Sequence, residues 1–137
     1  ILIKFFYILF FLSLMWTTER AASPAEMDKS LQFSGSIKPT VERMNRGKAI
    51  YSYYCSPCHG MKGNGQGPNA ENLSTRPRNF TDKPYMDIKN DRDLFQVIKG
   101  GGSAVGLSFL MPPWGNTLAE QEISDVIVYL RTFQKSE

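Results

Sequence analysis

Residues 55–59 read Cys55-Ser56-Pro57-Cys58-His59, and they contain both cysteines and the single histidine of the 137-residue chain. This is the C-x-x-C-H haem-attachment spacing. Two thiols three positions apart at the end of a helix can each bond a vinyl group of one porphyrin, and the adjacent imidazole then reaches the iron from the same side. Two other uses of a cysteine pair compete. A thioredoxin-like redox pair requires a preceding hydrophobic strand in a βαβ unit, whereas Tyr51-Ser52-Tyr53-Tyr54 follows a helical pattern. A zinc centre requires a second ligand pair, which one His and two Cys cannot provide.

Upstream of the motif, residues 39–54 are expected to form a helix. Pro39 suits a first turn, Thr40 can cap, and Val41, Met44, Ala49, Tyr51 and Tyr54 give a roughly helical apolar face. Gly47 inside that helix costs ~1 kcal/mol against Ala; it is either simply tolerated or, as expected here, marks another helix crossing closely. Downstream, residues 60–69 are too Gly-rich for helix or strand, and such a loop can lie flat against a planar ligand. A phosphate-cradling loop is the weaker reading, because no strand precedes it and no Gly-Lys-Ser/Thr follows. A second helix is expected over residues 90–99, with Asn90 as cap and Gly100 as terminator. A last helix is expected over 119–133, where Ile123, Val126, Ile127, Leu130 and Phe133 keep the i, i+3, i+4, i+7 spacing. Its start is open between a Thr117-x-x-Glu120 capping box and a start with Ala119 at the cap. Almost no sheet is expected, since no stretch alternates at period two.

Composition limits the alternatives. The length fits one domain plus a tail. Lys and Arg number 16 against 13 Asp and Glu, a net charge of +3. That is too mild for a nucleic-acid-binding stripe, so no nucleic-acid partner is expected. Residues 5–16 form an uncharged apolar run of 12 between Lys4 and Glu19. As a helix it spans only ~18 Å, the length of a signal-peptide core, with Ser23-Pro24-Ala25 as a passable cleavage site. Residues 1–18 together give ~27 Å, enough for a membrane anchor if Lys4 snorkels. We therefore expect a membrane anchor or signal peptide at 1–18, a linker at 19–38 and a haem domain at 39–137. Either reading of the first segment exports the rest of the chain.

The chain resembles class I c-type cytochromes, above all the single-haem domains of bacterial oxidase-associated and small exported electron carriers. The resemblance rests on Gly47-Lys48-Ala49-Ile50-Tyr51 through Cys58-His59-Gly60, Gly65-Gln66-Gly67-Pro68, Pro77-Arg78-Asn79-Phe80, Met111-Pro112-Pro113-Trp114-Gly115, and residues 123–133. It covers about residues 40–133. It implies an all-α, compact cytochrome c fold around one covalent haem c per chain, with the first and last helices crossing near Gly47 and Tyr129.

The sixth iron ligand is a separate question, because one His excludes bis-His ligation. Six Met are present. Met15 lies in the leader and Met27 in the linker; Met44 fits a helix face, and Met61 is too close to His59 to reach the other face of the ring. Met86 precedes the second helix and is the runner-up. Met111 lies 52 residues after His59 in a segment stiffened by Pro112 and Pro113, which suits a sulfur held over a haem face. By position and resemblance Met111 is the expected ligand, with plain core packing as the alternative. The resemblance also assigns to Pro68 the carbonyl that accepts the Nδ1–H of the ligating His, a bond that orients the ring. Trp114, Tyr51 and Arg78 are candidates to line the haem or bond its propionates, or else simply core.

His/Met ligation raises the iron potential, and six-coordinate iron leaves no open position for substrate. The expected role is one-electron transfer rather than catalysis, as a shuttle or as the tethered cytochrome subunit of a membrane oxidoreductase. The partners would be a redox donor and acceptor, in membrane respiratory or photosynthetic complexes, on the periplasmic side of the bacterial inner membrane. A haem catalyst or gas-binding cytochrome with a displaceable sixth ligand is the rival reading. A linker of about 20 residues reaches ~25 Å as a random coil. Lys48, Lys62, Arg76, Arg78, Lys83 and Lys89 offer an acidic partner a surface, unless Asp82, Asp87, Asp91 and Asp93 balance them.

Overall fold

The computed structural model describes residues 37–135, and every described regular element is helical. The expected leader at 1–18, and the linker up to residue 36, lie outside the described residues. Helix α1 (Val41–Ile50) starts at Thr40, whose side chain accepts from the Arg43 N–H at 3.2 Å. It does not continue as a regular helix to Tyr54. Residues Tyr51–Cys55 form a π-helical turn that leads into the short α2 (Ser56–His59). Pro57 is the physical reason: it has no N–H for the Tyr53 carbonyl and its ring would clash there, so the ladder widens, with the Ser56 N–H donating to the Tyr51 carbonyl. Val41 and Ala49, read as part of the apolar face, are exposed.

After the Gly-rich loop come a 3₁₀ turn at Ala70–Asn72 and a short helix α3 (Lys83–Asp87). Periodicity could not reveal an element of five residues, but Asp82 caps it by accepting from the Tyr85 N–H. Helix α4 (Asp91–Gly100) has a reciprocal cap: Asn90 Oδ1 accepts from the Asp93 N–H at 2.8 Å, and the Asp93 carboxylate accepts from the Asn90 N–H at 3.3 Å. It runs through Gly100 and ends at Gly101, whose φ of 76° favours glycine. Helix α5 (Glu120–Leu130) takes the later of the two starts, with Ala119 at the cap. Thr117 is spent in the preceding turn, where its N–H and that of Leu118 both donate to the Trp114 carbonyl. Glu122 still supplies half a cap by accepting from the Ala119 N–H. A 3₁₀ turn at Arg131–Lys135 extends α5, and Arg131 donates to the Met86 and Lys89 carbonyls and to Asp91, binding α5 to the start of α4.

The core is built where α1 crosses α5. A Cβ on Gly47 would lie 2.0 Å from the Asp125 carbonyl oxygen and 3.1 Å from Tyr129 Cβ, so only glycine permits this approach. The crossing expected near Gly47 and Tyr129 is present. Beside it the buried Asp125 carboxylate accepts from Arg43 and Arg46, both at 2.7 Å, and from Gln121 at 2.9 Å. Below it Ile123, Val126, Ile127 and Leu130 are buried with Tyr51, Leu94 and Ile98. Burial raises the Asp125 pKa, but the hydrogen bonds from Arg46, Arg43 and Gln121 outweigh it and hold the carboxyl below its ordinary value.

Two measurements test this crossing. Ala is better than Gly in a helix by ~1 kcal/mol, yet overpacking costs ~1–3 kcal/mol. With the added Cβ facing a backbone carbonyl, Gly47→Ala is expected to lower Tm; an unchanged or higher Tm would show that the helices part freely. For Asp125, the folded pKa is depressed, so its contribution is complete above the unfolded value of about 3.9 and disappears as pH falls through the lower folded value. Asp125→Asn should cost about 1.5–3 kcal/mol near pH 7, the worth of charged hydrogen bonds with a half-exposed partner, and should make stability less steep in acid. A variant with the wild-type acid profile would contradict this.

Candidate functional site

The Cys55–His59 segment is held by α1 at one end and the Gly-rich loop at the other. Tyr51 is fully buried and its hydroxyl donates to the Gly60 carbonyl at 2.7 Å. The loop then turns back along the motif, with the N–H groups of Gly65, Gly67 and Asn69 donating to the His59, Cys58 and Pro57 carbonyls at 2.8, 3.0 and 2.8 Å. A Cβ on Gly67 would lie 2.3 Å from the Pro57 carbonyl oxygen. Gly67 therefore serves close packing against the motif's own backbone. None of the loop's glycines lines the cavity described below, whereas Asn69 at the loop's end does.

His59 is fixed by the segment that follows. Its ring stacks on Phe80 at 4.6 Å between centroids, 20° from parallel, and its Nδ1 lies 3.0 Å from the Arg78 carbonyl. A carbonyl can only accept, so the proton is on Nδ1 and Nε2 keeps its lone pair. Burial lowers the His59 pKa, against the opposing effect of the Arg78 bond, which favours the neutral ring that a metal accepts. The role expected of Pro68 thus belongs to Arg78. Pro68 is exposed and does not line the cavity, while Asn69 after it, whose N–H donates to the Pro57 carbonyl, does. Segment 77–80 crosses the ring instead, seated over Gly65, where a Cβ would lie 2.5 Å from the Pro77 carbonyl oxygen, and joined to Gly63 by the Phe80 N–H.

Met111 is placed from α4. The Gly102 N–H donates to the Met111 carbonyl at 2.9 Å, and further along the Trp114 and Gly115 N–H groups donate to the Ile98 and Lys99 carbonyls, both at 3.0 Å. A Cβ on Gly101 would meet the Met111 and Pro113 backbone, and one on Gly102 the Ser108 carbonyl at 2.0 Å. The run Gly100-Gly101-Gly102 is the signal in the sequence for this docking, beyond the helix end that Gly100 alone suggests.

These parts enclose a cavity of about 490 Å³. Cys55, Cys58, His59, Met111, Trp114, Tyr51 and Arg78 all line it; Met86, Met61 and Met44 do not. Met86 is fully buried elsewhere in the core. Tyr51 commits its hydroxyl to Gly60, so it offers the cavity a ring and no donor. Trp114 packs edge-on against Tyr54 at 5.1 Å, and Arg78 lays its guanidinium 3.9 Å over the Tyr85 ring. Tyr54, Phe80, Arg76 and Leu107 also belong to the largely apolar lining and are not among the site residues expected from the sequence. Both cysteines are free thiols, and burial, followed by the neighbouring Cys58, pushes the Cys55 thiol up to about 12. The volume lies within the roughly 300–1,000 Å³ of cofactor sites, and two thiols, one imidazole and one thioether suit a covalently held iron porphyrin.

The family described as cytochrome c oxidase, cbb3-type, subunit III, matches residues 42–130. No match was found among curated proteins. Among solved structures, the chain is similar to one in the reducing HAO-like protein complex of Kuenenia stuttgartiensis, at 28% identity over 72% of this chain and 44% of that one, with a TM-score of 0.54. It is also similar to cytochrome cL of Methylophaga aminisulfidivorans, at 29% identity over 66% of this chain and 55% of that one, with a TM-score of 0.45. The chain thus spans about half the length of the solved structures it matches. The matched stretch begins in α1, contains the attachment motif and the Met111 segment, and ends in α5, so the chain belongs to the cbb3-type cytochrome c oxidase subunit III family and is a class I c-type cytochrome.

Proposed function

We propose that this chain is a one-electron carrier in which Cys55 and Cys58 hold one haem c and His59 and Met111 are the axial ligands of its iron. The observation that carries this reading is that these four residues line a single cavity, with Met111 the one methionine among the described residues to do so. When bound, haem supplies a reversible one-electron couple at its iron. The protein's part is to set the couple and to keep the iron closed. A thioether ligand favours Fe(II), and an apolar wall disfavours the extra charge of Fe(III). The Arg78 carbonyl keeps the His59 proton on Nδ1, so that Nε2 is the donor atom. Arg76 and Arg78 line the same cavity from an exposed segment, where they suit the propionates of the porphyrin.

Family membership supports an exported protein acting on the periplasmic side of a bacterial membrane, since haem c is attached there. The leader at 1–18 serves as anchor or signal and 19–38 as tether in this reading; among the described residues no helix is long and apolar enough to cross a membrane. A structural neighbour within a redox protein complex supports a partner-bound role, as a shuttle or as a subunit of a membrane oxidoreductase.

The test is the visible spectrum of the dithionite-reduced protein before and after CO. Sharp haem c bands unchanged by CO are expected for wild type, and Met111→Ala should bind CO with a clear band shift. A wild-type spectrum that shifts with CO would show a displaceable sixth ligand and favour catalysis or gas binding.

A further inference from the structure

Phe80 lines the cavity with its ring laid on the face of His59, 4.6 Å between centroids and 20° from parallel. It also stacks on Phe133, at 6.5 Å and 12° from parallel. The rings of His59, Phe80 and Phe133 thus share nearly one orientation, from the motif to the turn that extends α5. The neighbouring aromatic contacts differ. Tyr51 meets Phe80, Tyr129 and Phe133 at 67°, 60° and 58°, and Tyr129 meets Phe133 at 67°. Tilted and edge-on pairs fill a core without imposing a common plane. The near-parallel run does impose one, and it ends on the imidazole.

The run is anchored at both phenyl rings. The Phe80 N–H donates to the Gly63 carbonyl at 2.6 Å, and Asn79 beside it locks the turn, its Oδ1 accepting from the Thr81 N–H at 2.9 Å and the Thr81 hydroxyl at 2.7 Å. Phe133 is buried against Gly63, where a Cβ would lie 2.7 Å from its ring. The Arg78 carbonyl by itself leaves His59 one freedom. A ring turning about the Nδ1···O line keeps that bond, and carbonyl acceptors tolerate a broad range of directions. A flat ring against the imidazole face removes that rotation. Residues 78–80 therefore supply both constraints, a carbonyl at the edge of the imidazole and a phenyl on its face.

We propose that Phe80, backed by Phe133, is a positioning residue for the iron's histidine ligand, fixing the plane of the His59 imidazole over the porphyrin. The proposal rests on the ligand reading above. In low-spin Fe(III) the orientation of the axial ligands directs the half-filled iron orbital, so the imidazole plane governs how unpaired spin is shared among the four ring methyl groups. A single plane gives a single spin distribution; a ring free to turn averages over several. Leucine at position 80 keeps apolar bulk at the cavity wall but offers the imidazole no flat face.

The test is the proton NMR spectrum of the ferric, full-length holoprotein, read for the paramagnetic shifts of the four haem methyl groups. Wild type is expected to give one set of four, and Phe80→Tyr, which keeps the flat ring, the same order of shifts. Phe80→Leu is expected to change that order or to narrow its spread roughly twofold, as loss of a fixed ring orientation would. Both variants should keep reduced bands that CO does not shift, which reports an intact ligand set. Phe95→Leu removes a buried ring that does not line the cavity, and is expected to lower Tm while keeping the wild-type methyl order. Where Phe80→Leu fails to hold haem, Phe133→Leu, which removes the backing of Phe80, takes its place and must alter the order. The proposal is overturned if the leucine variant in the stack keeps the wild-type order and spread, or if Phe95→Leu alters them as much, since Phe80 would then be packing alone. It is overturned equally if Phe80→Tyr departs from wild type as far as Phe80→Leu does. A wild type whose reduced bands shift with CO, or that shows no shifted methyl resonances, defeats the ligand reading itself and the proposal with it.

Discussion

A carbonyl oxygen of Asp125 occupies the space that a Cβ of residue 47 would need, and most of the described structure depends on that contact. It brings α1 and α5 together closely enough for Tyr51 to pack against Tyr129 and Phe133, both at 5.3 Å between ring centroids. From there Tyr51 reaches two ways. Its ring meets Phe80, which stacks on His59, and its hydroxyl reaches the Gly60 carbonyl just past the motif. The attachment segment is therefore oriented by the helix crossing and not by local propensity alone. Asp125 joins the two functions in one residue, since its carbonyl sets the approach while its carboxylate is held by Arg43 and Arg46.

The two axial candidates are positioned by similar means from different parts of the chain. His59 is oriented by a backbone carbonyl and an aromatic ring; Met111 is docked by a backbone bond from Gly102, just past the end of α4. In both cases backbone groups fix the donor side chain, and glycines allow the chain segments to approach.

Much of this was legible in the sequence. Cys55, Cys58 and His59 announce their chemistry by spacing, Asn90 and Thr40 by cap type, and Gly47 by being a costly residue inside an amphipathic helix. The all-α reading held because periodicity of 3.6 was strong in α4 and α5 and no stretch alternated. What was not legible depended on contacts between distant segments. The π turn arises from Pro57 acting on a ladder that hydropathy does not see. The carbonyl at His59 comes from Arg78, 19 residues away, and any residue type can supply a carbonyl, so resemblance points to Pro68 where only the fold decides. The Gly-rich loop shows in the sequence only as a lack of side chains; that Gly67 packs on the motif's backbone and Gly65 on segment 77–80 depends on the fold.

The central claim is that Cys55 and Cys58 are the anchoring thiols of one haem and not a redox-active pair. The most direct test is the mass of the full chain, denatured under non-reducing conditions after production in cells that attach haem c. The account predicts a chain heavier than its sequence by one haem, with the addition lost in Cys55→Ala/Cys58→Ala. A chain of unmodified mass, or two hydrogens lighter through a Cys55–Cys58 disulfide, would contradict it.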